Sequence, residues 1–288
     1  MDTRFLQSFV SVADHGSLAE AARRLNLTPA AVAQRIRALE AELGTPLIGR
    51  SGRMVRPTEA GAAILERARA LLREVRALTF VAEGSALAGE LRIGAIATAL
   101  TGFIPDIMRE MTTRHPALEI YIEPGTSVEL YQMVMDGELD AAILIQPNFA
   151  LPKTCVFTVL REEPLIVIAP QSASSRDPIA LLSTEPFIRY DRKHWGGRLA
   201  DDYLRRRKLQ PAERFELDAL DAIAVMVDRG LGVSLVPDWS PPWPEKLSLL
   251  KIPVPGPAPV RRVGLLWKAA SPRIAGVNAL VAASKAAT

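Results

Sequence analysis

The sequence predicts a helical unit, then a long amphipathic helix, then an α/β unit. Three observations carry this reading. Residues 17–42, SLAEAARRLNLTPAAVAQRIRALEAE, hold two helix patterns that meet at a short polar turn. From Thr58 to about Glu83, apolar residues recur at coiled-coil spacing. From Leu91 onward, short β-type runs alternate with helical patterns, the signature of an α/β arrangement.

In the helical unit, residues 3–14 form a first helix in which Phe5, Phe9, Val12 and Ala13 recur at helical spacing. Ser17 starts the second, with Glu20 three places on for a reciprocal N-terminal cap. Asn26-Leu27-Thr28 makes the turn. Thr28 offers its hydroxyl to an early backbone N–H of the third helix, and Pro29 takes the first helical position, where a missing N–H costs nothing. Val32, Ile36, Leu39 and Leu43 then form one narrow apolar stripe. The opposite face presents Ala30, Gln34, Arg37 and Ala41, with Ala33 at its edge. Small residues permit close approach to a groove, Gln matches adenine edges, and Arg matches guanine edges or phosphate. A helix with such an N-terminal half is what a helix-turn-helix lays in the major groove. An ordinary surface helix in a bundle is the plainer alternative. The candidate DNA contacts are Ser17, Thr28, Pro29, Ala30, Ala31, Ala33, Gln34, Arg35 and Arg37.

Gly44 ends the third helix. The halves of residues 46–57 are set to pair as short strands around Ser51-Gly52, with Arg50, Arg53 and Arg56 on or beside the turn. A basic hairpin beside a helix-turn-helix acts as a wing on flanking phosphate or the minor groove; a solvated basic loop is the bland alternative. Between Arg23 and Arg56 there are seven Arg, two Glu and no Lys or Asp, and the planar fork of Arg suits phosphate and base edges.

The long helix carries Ile64, Ala68, Leu71, Val75 and Leu78 as a heptad seam, widened by Leu65 and Leu72, with Glu66, Arg67, Arg69, Arg73 and Arg76 opposite. A dimerisation arm explains it best, since two modules read two half-sites; packing on its own unit is the alternative. Residues 84–89, GSALAG, read as a hinge.

In the α/β unit, residues 91–95, 118–122 and 140–145 read as strands separated by helices at about 103–114 and from Gly125-Thr126-Ser127 to Asp136-Gly137. This β-α-β-α-β run is expected to be parallel with right-handed crossovers. Residues 165–169 open a second similar unit, followed by a strand at 186–190, a helix carrying Leu199, Tyr203 and Leu204, a helix at 219–229, and a turn with a buried strand at 230–237. A late strand at 260–267 and a closing helix at 272–287 complete it. Residues 237–259 hold eight prolines, which implies a rigid surface excursion.

Length and composition exclude some classes and leave others open. The chain has 288 residues, enough for two or three domains, and its 49% apolar and 23% charged content is that of a globular protein. The net charge of +3 argues only weakly for a nucleic-acid partner. A single cysteine, Cys155, excludes a disulfide framework, a zinc finger or a paired-cysteine redox motif within one chain. The first residues, MDTRFLQSFVSVADHG, lack the pattern of a signal peptide, and no membrane span is expected, so a cytosolic location is the expectation.

Together these residues resemble the LysR-type transcriptional regulators, over essentially the whole chain. The resemblance is most specific over residues 1–61. It runs through Phe5-Leu6-x-x-Phe9, Gly16-Ser17-Leu18, Ala21-Ala22-x-x-Leu25, Leu27-Thr28, Ala31-Val32, Ile36-x-x-Leu39-Glu40, Leu43-Gly44, Pro46-Leu47, Arg50-x-x-Arg53 and Thr58-x-Ala60-Gly61. Later pieces are Gly89-Glu90-Leu91-Arg92-Ile93-Gly94, residues 137–143 (GELDAAI) and residues 230–237 (GLGVSLVP). The chain departs from the family pattern at Ala30, Ala33, Ile48 and Pro57; at Ala33 it lacks a hydroxyl suited to phosphate or base.

The resemblance implies a winged helix-turn-helix with a long linker helix, then a periplasmic-binding-protein-like effector domain of two α/β subdomains. It implies a DNA-binding domain at 1–58, a linker and dimerisation helix with its hinge at 59–89, and an effector-binding domain at 90–288. Subdomain I would comprise 90–160 and 264–288, and subdomain II 161–263, with the chain crossing near Leu160 and returning near Val263. It further implies homodimers, typically joined into homotetramers, on partly dyad-symmetric double-stranded promoter DNA. A small-molecule effector would alter how that DNA is bent or presented to RNA polymerase. No cofactor is expected.

Ligands of open parallel sheets sit beyond the strand C-termini, at helix N-termini. Two such turns stand out, at Thr98, Ala99 and Thr101 and at Thr126 and Ser127, where these residues either seat a carboxylate or cap their own helices. In the second half, Arg189, Tyr190 and His194 lie in RYDRKHWGGR, either a clamp for an anionic effector or a solvated loop. A small organic acid is the expected effector. An enzyme lacks support: His15, His115 and His194 have no metal-ligand spacing, and no nucleophile-elbow or dinucleotide fingerprint occurs. A cytosolic small-molecule-binding protein would leave residues 1–61 without a purpose, and a DNA-architectural protein would leave the rest.

Overall fold

The computed structural model describes residues 1–51, 54–82, 87 and 89–286, with backbone alone at 50, 51, 74, 76, 77 and 79–82. It divides into two compact units, Met1–Gly89 and Glu90–Thr288.

In the first unit, α1 (Thr3–His15), α2 (Leu18–Arg24) and α3 (Pro29–Leu43) pack around Phe9, Val12, Ala21, Val32, Ile36 and Leu39, all buried. The caps follow from the sequence. The Thr28 hydroxyl accepts the Ala31 N–H at 3.2 Å, and Pro29 opens α3. Ser17 accepts the Glu20 N–H at 3.4 Å, but Glu20 does not reach back; its carboxylate pairs with Arg23 and Arg24. The reciprocal cap is therefore only half made, because two guanidiniums on the same short helix compete for that carboxylate. Leu43, expected on the buried stripe, is 43% exposed in the last turn of α3.

Strands β1 (Ile48–Ser51) and β2 (Met54–Pro57) pair antiparallel, with Gly49 opposite Arg56 and Arg50 opposite Val55. The hairpin is anchored from two sides. The Glu40 carboxylate of α3 accepts the N–H groups of Leu47 and Ile48 at 2.8 and 3.3 Å, and the Val55 N–H donates to Gly16 at 2.9 Å. Helix α4 (Glu59–Ala82) begins where the Thr58 hydroxyl accepts the Gly61 N–H. A Cβ on Gly61 would stand 2.0 Å from the Leu47 carbonyl, so only glycine fits there. The heptad seam splits: Ala68 is buried and Ile64 packs with it in the unit's own core, while Leu71 and Leu78 are 40% and 68% exposed.

The second unit contains β3 (Gly89–Ala95), α5 (Ala97–Thr101), α6 (Ile104–Arg114), β4 (Leu118–Pro124), α7 (Ser127–Asp136) and β5 (Ala141–Ile145). β3 and β5 run parallel. Next comes β6 (Cys155–Pro170), one long strand where the sequence suggested only residues 165–169. The charges of Arg161-Glu162-Glu163-Pro164 are matched across the ladder, Glu163 opposite Arg261 and Glu162 opposite Arg262 of β11 (Val260–Lys268).

The remaining elements are α8 (Pro178–Thr184), β7 (Pro186–Tyr190), α9 (Trp195–Arg206), β8 (Ala212–Leu217), α10 (Leu220–Asp228), β9 (Ser234–Pro237), β10 (Leu249–Pro253) and α11 (Ile274–Ala286). The main sheet runs β10-β6-β11-β5-β3-β4, with β9 also on β6; β7 and β8 pair parallel apart from it. The first half of β6 pairs with β11 and the second with β9 and β10, so β6 and β11 carry the chain between two apolar cores. The proline-rich stretch is more than a surface excursion: β10 joins the sheet, and Trp239 is buried and stacked on Trp243. Among the described residues, no helix is long and apolar enough to cross a membrane.

Candidate functional site

The first unit exposes the groove-facing side of α3. Pro29, Ala30, Gln34, Arg37 and Ala41 are exposed, and Ala31, Ala33 and Arg35 are half-exposed. Gln34 and Arg37 take no protein hydrogen-bond or ionic partner among the described residues, so their donors are free for a ligand. Thr28 and Ser17 have their hydroxyls committed to capping. Arg35 adds its field to Asp2, whose carboxyl is held down at about 2 chiefly by its bonds to Arg4. Arg56 is exposed on β2. The Arg50 side chain and all of Arg53 lie outside the described residues, as do the Gly52 turn and residues 84–86 and 88 of the hinge.

The second unit holds a cavity of about 460 Å³. The starts of α5 and α7 bring Thr98, Thr126 and Ser127 to it, and β7 and α9 bring Tyr190 and His194. Five of the eight effector residues suggested by the sequence thus meet in one cavity. The other three do not. Ala99 is buried in the core, and the Thr101 hydroxyl is turned back on the Ala97 carbonyl at 3.3 Å. Arg189 is consumed in an internal ion pair, with Asp201 at 2.8 Å and Glu213 at 2.6 Å. A buried guanidinium must be paired, and the neighbouring α9 and β8 supply the carboxylates.

Capping and cavity lining coincide at α7. Thr126 and Glu129 form a reciprocal cap, and the bonds from Thr126 hold the Glu129 carboxyl below its ordinary range. The Ser127 hydroxyl accepts the Ile145 N–H at 3.1 Å, fixing the helix start to the end of β5. The Ser127 amide precedes the first intrahelical bond of α7, and Ser127 lines the cavity.

Sequence reading missed a buried cation in the cavity lining. Arg261 of β11 is 2% exposed, donates to Glu163 at 2.6 Å and to the Thr98 hydroxyl at 3.2 Å, and lines the cavity. Its signal was Arg261-Arg262 facing Glu162-Glu163 in register, legible only once β6 is recognised as continuous. Tyr190 is buried beside it, and burial pushes its phenol up. A Cβ at Gly196 would come within 2.4 Å of the Tyr190 hydroxyl oxygen, so the glycine keeps that ring in place. Asp218, also missed, lines the cavity 4.0 Å from His194, and burial pushes its carboxyl up.

A hairpin-flanked helix-turn-helix joined in one chain to an α/β unit with a polar-floored cavity defines a ligand-responsive DNA-binding protein. Comparison with known proteins agrees. Residues 3–62 match the family described as bacterial regulatory helix-turn-helix protein, lysR family, and residues 84–288 match the LysR substrate binding domain. The chain belongs to the LysR family of transcriptional regulators.

It is 30% identical over 245 residues to the HTH-type transcriptional activator IlvY of Salmonella typhimurium, covering 83% of each protein. It is 28% identical over 281 residues to the DNA-binding transcriptional dual regulator OxyR of Escherichia coli, covering 94% of this chain and 91% of OxyR. A full-length OxyR variant from Pseudomonas aeruginosa superposes with a TM-score of 0.73 at 25% identity, over 99% of this chain and 95% of the other. Full-length CbnR complexed with its target DNA shares the fold with a TM-score of 0.68 at 22% identity, over the full length of both.

Proposed function

We propose that this regulator reads promoter DNA through the exposed face of α3 and the β1–β2 wing, and that a small molecule in the α/β cavity controls that binding. One observation carries the reading. Groups from α5, α7, β7 and α9, scattered from Thr98 to His194, converge on one cavity floored by a buried arginine. Such convergence of a few polar groups in an apolar pocket is what small-molecule recognition requires.

In this reading residues 1–58 bind DNA, 59–89 form the dimerisation helix and hinge, and 90–288 sense the effector. Two chains pair through the exposed half of the α4 seam to read two half-sites, and dimers join as tetramers in the cytoplasm. As an activator it would present bent DNA to RNA polymerase. A gel-shift titration across a salt series, on DNA upstream of its own coding sequence, tests the DNA half. The expected result is specific binding whose logarithm falls steeply with log salt, about −0.9 per phosphate contacted. Sequence-indifferent binding that vanishes at physiological salt would overturn it.

A further inference from the structure

The charges around the cavity select the chemical class of its ligand. The buried guanidinium of Arg261 is already balanced, because Glu163, only 4% exposed at its side chain, holds it at 2.5 Å. With that pair cancelled, the cavity wall retains Glu129 and Asp218, and Asp191 stands 3.7 Å from His194. Three carboxylates therefore face one imidazole, and the balance is negative whether or not His194 carries a proton. A plain organic acid would enter a field that repels it, and like-charge apposition in a partly desolvated site is costly.

An anionic seat exists nonetheless. Ser127, which opens the ten-residue α7, and Thr98 line the same cavity as Arg261. Ile96, Ile145 and Leu220 add hydrocarbon to the lining.

The geometry points to a small zwitterion with an aliphatic body as the ligand, an aliphatic α-amino acid being the simplest case. Its carboxylate takes the Ser127 amide beside Arg261 and its ammonium takes Asp218, with Glu129 nearby. This rests on the reading of the cavity as the effector site and narrows it. Among the described residues the one cation paired with Asp218 is His194 at 4.0 Å, with Arg261 adding a weaker field, so an incoming ammonium supplies a closer partner.

The test uses the full-length protein and isothermal titration with alanine, valine, leucine and isoleucine, each beside its desamino carboxylic acid and its decarboxylated amine. At least one amino acid is expected to bind ten-fold or more tighter than both of its single-charge analogues, since a site built for a charged group rejects the analogue lacking it. Asp218→Asn is expected to weaken that amino acid about ten-fold and to leave the carboxylic acid bound as tightly as before or more tightly, since one repelling charge is gone. Carboxylic acids binding as tightly as the amino acids, or no binding by any amino acid, would overturn the assignment. A footprint on upstream DNA separates the two claims. A response to a whole metabolite pool but to no amino acid leaves effector control standing and removes the zwitterion; no response to either removes both.

Discussion

Arg261 and Glu163 stand 98 positions apart in the chain, yet their side chains meet at 2.6 Å with almost no exposure to solvent. The pair joins β11 to β6 where the two strands pass between the apolar cores of the α/β unit. Arg261 also lines the cavity, so fold and site share one residue. Removing one partner strands a buried charge, which costs about 3–5 kcal/mol. Glu163→Ala should lower unfolding free energy by about that amount in chemical denaturation. Arg261→Met with Glu163→Leu should recover most of it, and a single-variant loss under about 1 kcal/mol would show that the pair is not bearing on stability.

Gln34 and Arg37 are exposed on α3 and have no hydrogen-bond or ionic partner among the described residues. Substituting either by alanine should leave the melting temperature unchanged. Gel shifts should show Arg37→Ala weakening specific binding by about 1–3 kcal/mol, and its salt slope should shrink by about 0.9 if the contact is to phosphate. Gln34→Ala should relax base preference at one position of each half-site with the slope intact. Unchanged affinity in both variants would move the DNA surface elsewhere.

The α4 seam makes opposite predictions along its length. Ala68 is buried in its own unit, so Ala68→Glu should unfold that unit. Leu71 and Leu78 are exposed, and Leu71→Glu with Leu78→Glu should convert dimer to monomer in sedimentation equilibrium while the melting curve of the first unit holds. A dimer that survives the double substitution would place the principal interface off this helix.

Around Arg189 and Arg192, two carboxyls are held below their ordinary range, Glu213 chiefly by its bond to Arg189 and Glu216 chiefly by its bond to Arg192. A carboxyl lowered in the folded state adds stability that is complete above its unfolded value, near 4.3, and is lost as pH falls through the lowered value. Glu213→Gln should therefore flatten the decline of melting temperature below about pH 4 and lower it at neutral pH. An unaltered acid profile would mean that these pairs are screened by solvent.

The helical unit was largely legible in the sequence because local chemistry sets its boundaries. Thr28 and Pro29 start α3, Gly44 ends it, and the apolar stripe needs no distant information. The first half of the cavity was legible for the same reason, since Thr126 and Ser127 mark a helix start after a strand. What escaped depends on long-range pairing. Only residues 165–169 of β6 read as a strand until Arg261-Arg262 is laid against Glu162-Glu163. Arg189 read as either a ligand clamp or part of a solvated loop because its partners, Asp201 and Glu213, lie on other elements and are met only in the fold. Leu43 and Leu71 share the spacing of buried neighbours, yet periodicity does not say where the packing partner ends.

The central claim is that occupancy of the α/β cavity governs promoter binding. A footprint on the DNA upstream of the coding sequence, with and without a metabolite pool, tests it when wild type is compared with Ala97→Trp, which fills the cavity from the exposed start of α5. The account predicts a partly palindromic protected region whose pattern changes with the pool for wild type, and the same region with no change for Ala97→Trp. A variant that responds to the pool as wild type does would contradict it.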